Sequence, residues 1–201
     1  MYMMTETAPL DYDAWTAAVF DGKHPEHVGL WNADLWFGPA AWLLKYATRL
    51  FSEAGILLEH YTPRQLRLGL HALLFGWELK DAVWEKELPW PFREECIFSM
   101  ATLFDEVFSR DPLNEWCEMW WDAFRSFDEN PDPRMTDAIL TVLAGLLYRP
   151  EEHCQHAALH GLGHLPHPGR AGLIQRWLAD TNPTSTSLRA YAASAAVGAV
   201  L

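Results

Sequence analysis

The sequence predicts an all-α fold built of stacked antiparallel helical hairpins, and three observations predict it. Apolar residues recur at three- and four-residue intervals along most of the 201 positions, the spacing of one buried helix face. Proline, glycine and Asx clusters separate those stretches at short intervals, as turns between helices do. Nothing in the chain reads as a confident strand. Length and hydrophobic content suit a single domain over 1–201, with longer, aromatic-rich helices in 1–128 and shorter hairpins in 134–201.

The first helix is expected over Tyr12 to Phe20. A turn-rich segment with Gly22, Pro25 and Gly29 follows, in which His24 and His27 read as loop residues. Trp31, Leu35 and Trp36 have the spacing of an apolar helical face, and Gly38-Pro39 breaks and restarts the chain. Trp42, Leu43, Tyr46, Ala47, Leu50 and Phe51 then carry an amphipathic helix to Gly55. Thr62-Pro63-Arg64-Gln65 is a helix start with a mechanism: a hydroxyl N-cap, proline at the first helical position, and glutamine three residues after the cap to reach back. Leu66, Gly69, Leu70, Leu73, Leu74 and Trp77 form the buried side of that helix, and its lone His71 reads as structural or surface.

A corner at Leu88-Pro89-Trp90-Pro91 precedes a helix from Glu94 to Phe108. Asp111-Pro112 is expected to cap another that runs to about Phe127. On it Leu113, Trp116, Cys117, Trp120, Trp121, Phe124 and Phe127 fall in an arc of roughly 140°, with Glu115, Glu118 and Asp122 opposite. Asn130-Pro131-Asp132-Pro133 is the clearest punctuation, and a leucine-rich helix over Thr136 to Tyr148 follows it. Then come a histidine-rich helix between Pro150 and Pro166, a helix from Arg170 to Ala179, a turn at Asn182-Pro183-Thr184-Ser185, and an alanine-rich helix from Ser187 to Val200.

Formal charge is −12, from 27 acidic against 15 basic residues, with no long basic run. That excludes nucleic acid and an anionic membrane as main partners, since both require concentrated Lys and Arg. A basic protein or peptide, a cation or a neutral small molecule fits better. Protonating all nine histidines would raise −12 to −3, so surface charge can change between pH 6 and 7. Cys96, Cys117 and Cys154 lie far apart within apolar helical patterns and read as buried free thiols in a reducing compartment. With no signal-peptide pattern in MYMMTETAPLDYD and no apolar run long enough to span a membrane, a cytoplasmic location is expected.

Chemistry concentrates in Glu151 to Pro168, EEHCQHAALHGLGHLPHP, which holds five of the nine histidines. Measured from Ala158 on a helix, Cys154, Ala158, Leu159, Leu162 and Leu165 fall between roughly −40° and +100°. His153, His156, His160 and His164 fall at roughly 160° to 240°, a stripe expected to face away from the core. The one-turn spacings His156–His160 and His160–His164 let neighbouring imidazoles converge on one ligand. Gly161 and Gly163, each costing a helix interior about 1 kcal/mol against alanine, either permit close packing or loosen the helix before Pro166. No Rossmann glycine pattern, P-loop, nucleophile elbow or His-Glu-x-x-His signature is present.

Aligning Gln155-His156-Ala157-Ala158 with Arg189-Ala190-Tyr191-Ala192 sets Ala158 over Ala192 and Leu162 over Ala196, an offset of 34. On those residues the C-terminal third resembles HEAT-like repeats. The resemblance implies an α-solenoid whose second helices line a concave, mostly protein-binding face. Through Met119-Trp120-Trp121-Asp122 and Leu159-His160-Gly161-Leu162-Gly163-His164 the whole chain also resembles bacterial proteins with no assigned activity. Deoxyhypusine hydroxylase is similar in architecture and holds two irons with His-Glu dipeptides. This sequence contains no such dipeptide, which argues against the same chemistry.

The primary expectation is therefore a binding protein without a cofactor. Glu118, Asp122, His153, His156, His160 and His164 would contact a protein or peptide partner in a pH-sensitive way. The alternative is a metal-binding protein or metal-dependent enzyme in which His156 and His160 bind zinc or iron, with Glu118 or Asp122 as carboxylate ligand.

Overall fold

The computed structural model describes residues 10–21, 39–75, 78–110, 117–126, 128, 130–181 and 185–200. The expected turns and faces at 22–38, the N-terminal part of the aromatic helix at 111–116, Trp77, Phe127, and Asn182 to Thr184 lie outside those residues. Among the described residues the structure is all-helical, with no strand.

Helix α1 spans Tyr12–Phe20, and its N-cap Asp11 accepts a 2.8 Å hydrogen bond from the Ala14 amide. Helices α2 (Ala40–Ser52) and α3 (Ala54–His60) follow, broken at Glu53. Helix α4 (Pro63–Phe75) begins as its capping box predicts: the Thr62 amide donates to Gln65 Oε1 at 3.1 Å, and the Gln65 amide to Thr62 Oγ1 at 3.3 Å. A methyl group on Gly69 would lie 2.2 Å from the Phe20 ring, so α1 and α4 meet where a side chain is missing.

Helix α5 is Glu78–Trp84 and α6 is Trp90–Leu103. α6 runs on into a π-turn, Phe104–Phe108, in which the Ser109 amide reaches the Phe104 carbonyl at 2.8 Å. The extra residue in that turn redirects two rings. Phe104 stacks on Trp121 at 5.9 Å between centroids, and Phe108 meets Trp120 edge-on at 5.2 Å.

Those two tryptophans belong to α7, Trp120–Ala123, a single turn where the sequence suggests a helix reaching Phe127. Cys117 to Met119 are turn and bend, and beyond Ala123 the Trp84 indole takes the Phe124 carbonyl at 3.2 Å, so the helical ladder stops. The predicted aromatic face is nonetheless buried: Cys117, Trp120, Trp121 and Phe124 are all in the core.

Helices α8 (Pro133–Leu147), α9 (Glu152–His164), α10 (Arg170–Thr181) and α11 (Thr186–Val197) complete the chain. α8 packs on α9, α10 on α11, and α9 on α11, while α2, α6 and α8 form the preceding layers of the same continuous core. Ser185 caps α11 through the Leu188 amide, and Gly198, at φ +75°, ends it in the left-handed conformation that suits glycine. The Arg170 guanidinium donates to the carbonyls of Gly163 and Leu165, closing the C-terminal end of α9. No described helix is long and apolar enough to cross a membrane.

Candidate functional site

Of the expected outward stripe, His160 is buried, while His153, His156 and His164 are half-buried. From Ala157 to Gly163 every residue of α9 is buried, so the helix is enclosed around its circumference rather than on one side. Helical phase fixes the angle between two faces of α9, but not what covers each face. Here α8 covers one flank, while α7 and α11 close over the histidines.

The glycines make that approach possible. A Cβ on Gly161 would sit 2.8 Å from Trp121 Cγ and 3.0 Å from Leu143 Cδ2. One on Gly163 would sit 2.4 Å from Val200 Cγ2. Of the two roles open to these glycines, close packing is the one realised. With Trp121 seated on Gly161, the next residue, Asp122, is delivered to the next-door histidine.

His160, 4 % exposed, is the centre of the cluster. Its Nε2 lies 2.8 Å from Asp122 Oδ1, and its Nδ1 lies 2.6 Å from the Tyr191 hydroxyl on α11. A carboxylate only accepts, so when neutral the imidazole donates its Nε2–H to Asp122 and accepts the tyrosine proton at Nδ1. His164 comes to the same carboxylate oxygen, Nε2 to Oδ1 at 3.4 Å, with its ring 4.8 Å from that of His160 at 73°. One ligand atom from each of Asp122, His160 and His164 therefore lies within 4.8 Å of the others.

Burial holds His164 below the usual histidine range, and the charges of His160 and Arg125 act in the same direction against the opposing pull of Asp122. Burial pushes the Tyr191 phenol above its ordinary value, and the carboxylates of Glu118 and Asp122 add to that.

The other residues of the predicted set divide. His156, the other expected metal ligand, is not part of the trio: its Nδ1 stands 3.1 Å from Glu118 Oε1, in ion-pair range but without hydrogen-bond geometry. Its ring lies flat on Tyr191, with centroids 4.0 Å apart. His153 is pinned by a 2.9 Å hydrogen bond from Nε2 to the Phe108 carbonyl at the end of the π-turn. Glu118 and Asp122 are thus brought against the histidine helix in register, Glu118 at His156 and Asp122 at His160 and His164.

Two polar partners escape the sequence reading. Tyr191 is visible only as the one aromatic among the alanines of α11, and nothing in that spacing says that it reaches His160. His167 clips α8 to the turn before α10, donating to Asp137 at 2.8 Å and accepting from the Gly169 amide at 2.9 Å. The three cysteines are buried and form no disulfide, and burial pushes the Cys96 and Cys154 thiols up to about 12, which disfavours the nucleophilic thiolate. Compared with family models, curated proteins and solved structures, the chain finds no match in any of the three.

Proposed function

We propose that this is a helical metal-binding protein whose centre is Asp122, His160 and His164, with Zn²⁺ or Fe²⁺ as the ion. The convergence of these three donor atoms carries the proposal. For donors about 2.0–2.1 Å from an ion, neighbouring ligands stand about 2.9 Å apart in octahedral and about 3.4 Å in tetrahedral coordination. Asp122 Oδ1 stands 2.8 Å from His160 Nε2 and 3.4 Å from His164 Nε2, and the three donor atoms all lie within 4.8 Å of one another, so side-chain adjustment would bring them onto one ion. The donor set of two neutral imidazoles and one carboxylate is what both ions accept. Three protein ligands leave at least one coordination position open, as in centres that bind or transform a small molecule.

Tyr191 supplies what such a ligand requires from behind. With Nε2 given to an ion, His160 carries its proton on Nδ1 and donates it to the tyrosine oxygen, reversing the hydrogen bond that the metal-free tautomer makes. The acid excess of the chain favours a cation over an anion at the same place.

A second reading keeps the carboxylates for a basic protein or peptide partner, with the helix pairs α8/α9 and α10/α11 as HEAT-like hairpins in a cytoplasmic scaffold. Glu118, half-buried beside the exposed Met119, favours it. Elemental analysis and calorimetry on protein purified without a metal-affinity step separate the two. We expect close to one Zn²⁺ or Fe²⁺ per chain, and a loss of affinity of at least about a thousandfold in His160→Ala. Substoichiometric metal that His160→Ala leaves unchanged would return the site to the second reading.

A further inference from the structure

A second cavity, of about 560 Å³, opens between α2 and α6, a volume within the roughly 300–1,000 Å³ of small-molecule sites. None of the trio lines it. One face of α2 supplies Trp42, Lys45, Thr48 and Ser52, each three or four residues after the last, and α6 supplies Phe92 and Glu95, one turn apart. Both aromatic walls are open, Trp42 at 40 % and Phe92 at 51 % exposure. The two rings do not stack on each other, so each keeps a face for an apolar ligand.

Among the described walls three side chains are charged. Arg49 is satisfied: its guanidinium meets the Glu53 carboxylate at 3.2 and 3.3 Å and lies over the Tyr12 ring. Lys45 and Glu95 pair neither with each other nor with another charge, and the Lys45 ammonium lies 5.5 Å from the centroid of the Trp42 ring. A cation thus stands beside one aromatic wall, and a carboxylate belongs to the residue one turn on from the other. A ligand that is only an anion answers Lys45 and is repelled by Glu95, and a cation meets the reverse. A zwitterion with an apolar ring answers all four groups.

We infer that this cavity binds a free aromatic α-amino acid. Its ring covers Trp42 and Phe92, its carboxylate pairs with Lys45, and its ammonium pairs with Glu95. The site is independent of the metal centre and involves no covalent step.

The test is calorimetry on the full chain with four probes: L-phenylalanine, 3-phenylpropanoate, 2-phenylethylamine and L-alanine. L-Phenylalanine is expected to bind, and each of the others, which lacks one of its three features, to bind at least about fivefold more weakly. Lys45→Met should weaken L-phenylalanine and 3-phenylpropanoate by about that factor and spare 2-phenylethylamine, whereas Glu95→Gln should weaken L-phenylalanine and 2-phenylethylamine and spare 3-phenylpropanoate. Both positions are exposed, so neither change threatens the fold. Trp42→Ala should cost every ring-bearing probe at least about tenfold. No binding of L-phenylalanine at millimolar concentration overturns the site. So does L-phenylalanine affinity that neither charge variant changes, or 3-phenylpropanoate binding as tightly as L-phenylalanine. Metal content measured on the same samples stands or falls separately.

Discussion

Two part-buried carboxylates, Asp132 at the junction of α6 and α8 and Asp122 at the junction of α7, α9 and α11, show how the same side chain serves two ends. Asp132 is saturated by guanidinium groups. It accepts from Arg134 Nε and Nη2 at 3.2 and 3.0 Å, lies 3.5 Å from the Arg93 guanidinium, and caps α8 through the Arg134 amide. Both arginines also stand over the Trp90 ring. Hydrogen bonds and charge from Arg134, with the Arg93 charge added, hold the Asp132 carboxyl below its ordinary range despite burial. Asp122 is met by the imidazoles of His160 and His164. A guanidinium has no lone pair to give and cannot be replaced by an ion, whereas an imidazole can release its proton and bind the metal itself. The first cluster is fixed; the second can exchange its proton for a cation.

Substitutions at the two carboxylates and their supports should therefore separate stability from binding. Asp132→Asn leaves the Arg93 guanidinium, 1 % exposed, without its countercharge, and should destabilise the fold by about 3 kcal/mol in denaturant unfolding. Metal affinity per folded molecule should not change. The same carboxylate sets a pH limit. Its folded value lies below the unfolded one of about 3.9, so its contribution is complete above that pH and disappears as pH falls through the folded value. Wild type should lose stability in that acid window, and Asp132→Asn should lose less, when thermal unfolding is followed from pH 6 downward.

Gly161→Ala attacks the other region. Its methyl would press on Trp121, lowering stability by about 1–3 kcal/mol and metal affinity with it, since Asp122 moves away from His160. Calorimetry on the folded variant should read both losses; stability lost with affinity intact would uncouple Gly161 from the site. Tyr191→Phe removes only the hydroxyl that orients His160 through Nδ1 and should weaken metal binding about tenfold, with little change in helicity by circular dichroism. Gly145→Ala is the quiet control: an exposed glycine of α8 whose added methyl meets nothing within 4 Å, so it should stabilise by about 0.5–1 kcal/mol and leave binding alone.

The helical class, the bounds of α1, the capping box at Thr62 and the apolar faces of α2, α4 and α8 are legible because each depends on neighbours within one or two turns. The candidate site is legible only in parts. His160 and Asp122 stand out by residue type, and one-turn spacing puts His160 and His164 on one side of α9. What no local pattern conveys is that Trp121 sits over Gly161, or that Tyr191 comes across from α11. Both are contacts between residues more than 30 positions apart, set by how whole helices pack. The same gap explains the burial of His160: amphipathic phase separates polar from apolar residues, and a polar side chain satisfied by its own partners can still be buried.

The in-register pairing of Glu118 and Asp122 with His156, His160 and His164 has a consequence for assembly. Sliding α9 by one turn, about 5.4 Å, would still give Asp122 two imidazoles, His156 and His160, so the polar ladder alone tolerates a mismatched register. Trp121 does not. One turn earlier it would strike the methyl of Ala157, and one turn later the side chain of Leu165, whereas at Gly161 there is nothing to strike. The missing side chain is thus the index mark by which a repetitive histidine row finds its one alignment, and the chemistry of the cluster is set by an apolar fit that contains none of its reactive atoms.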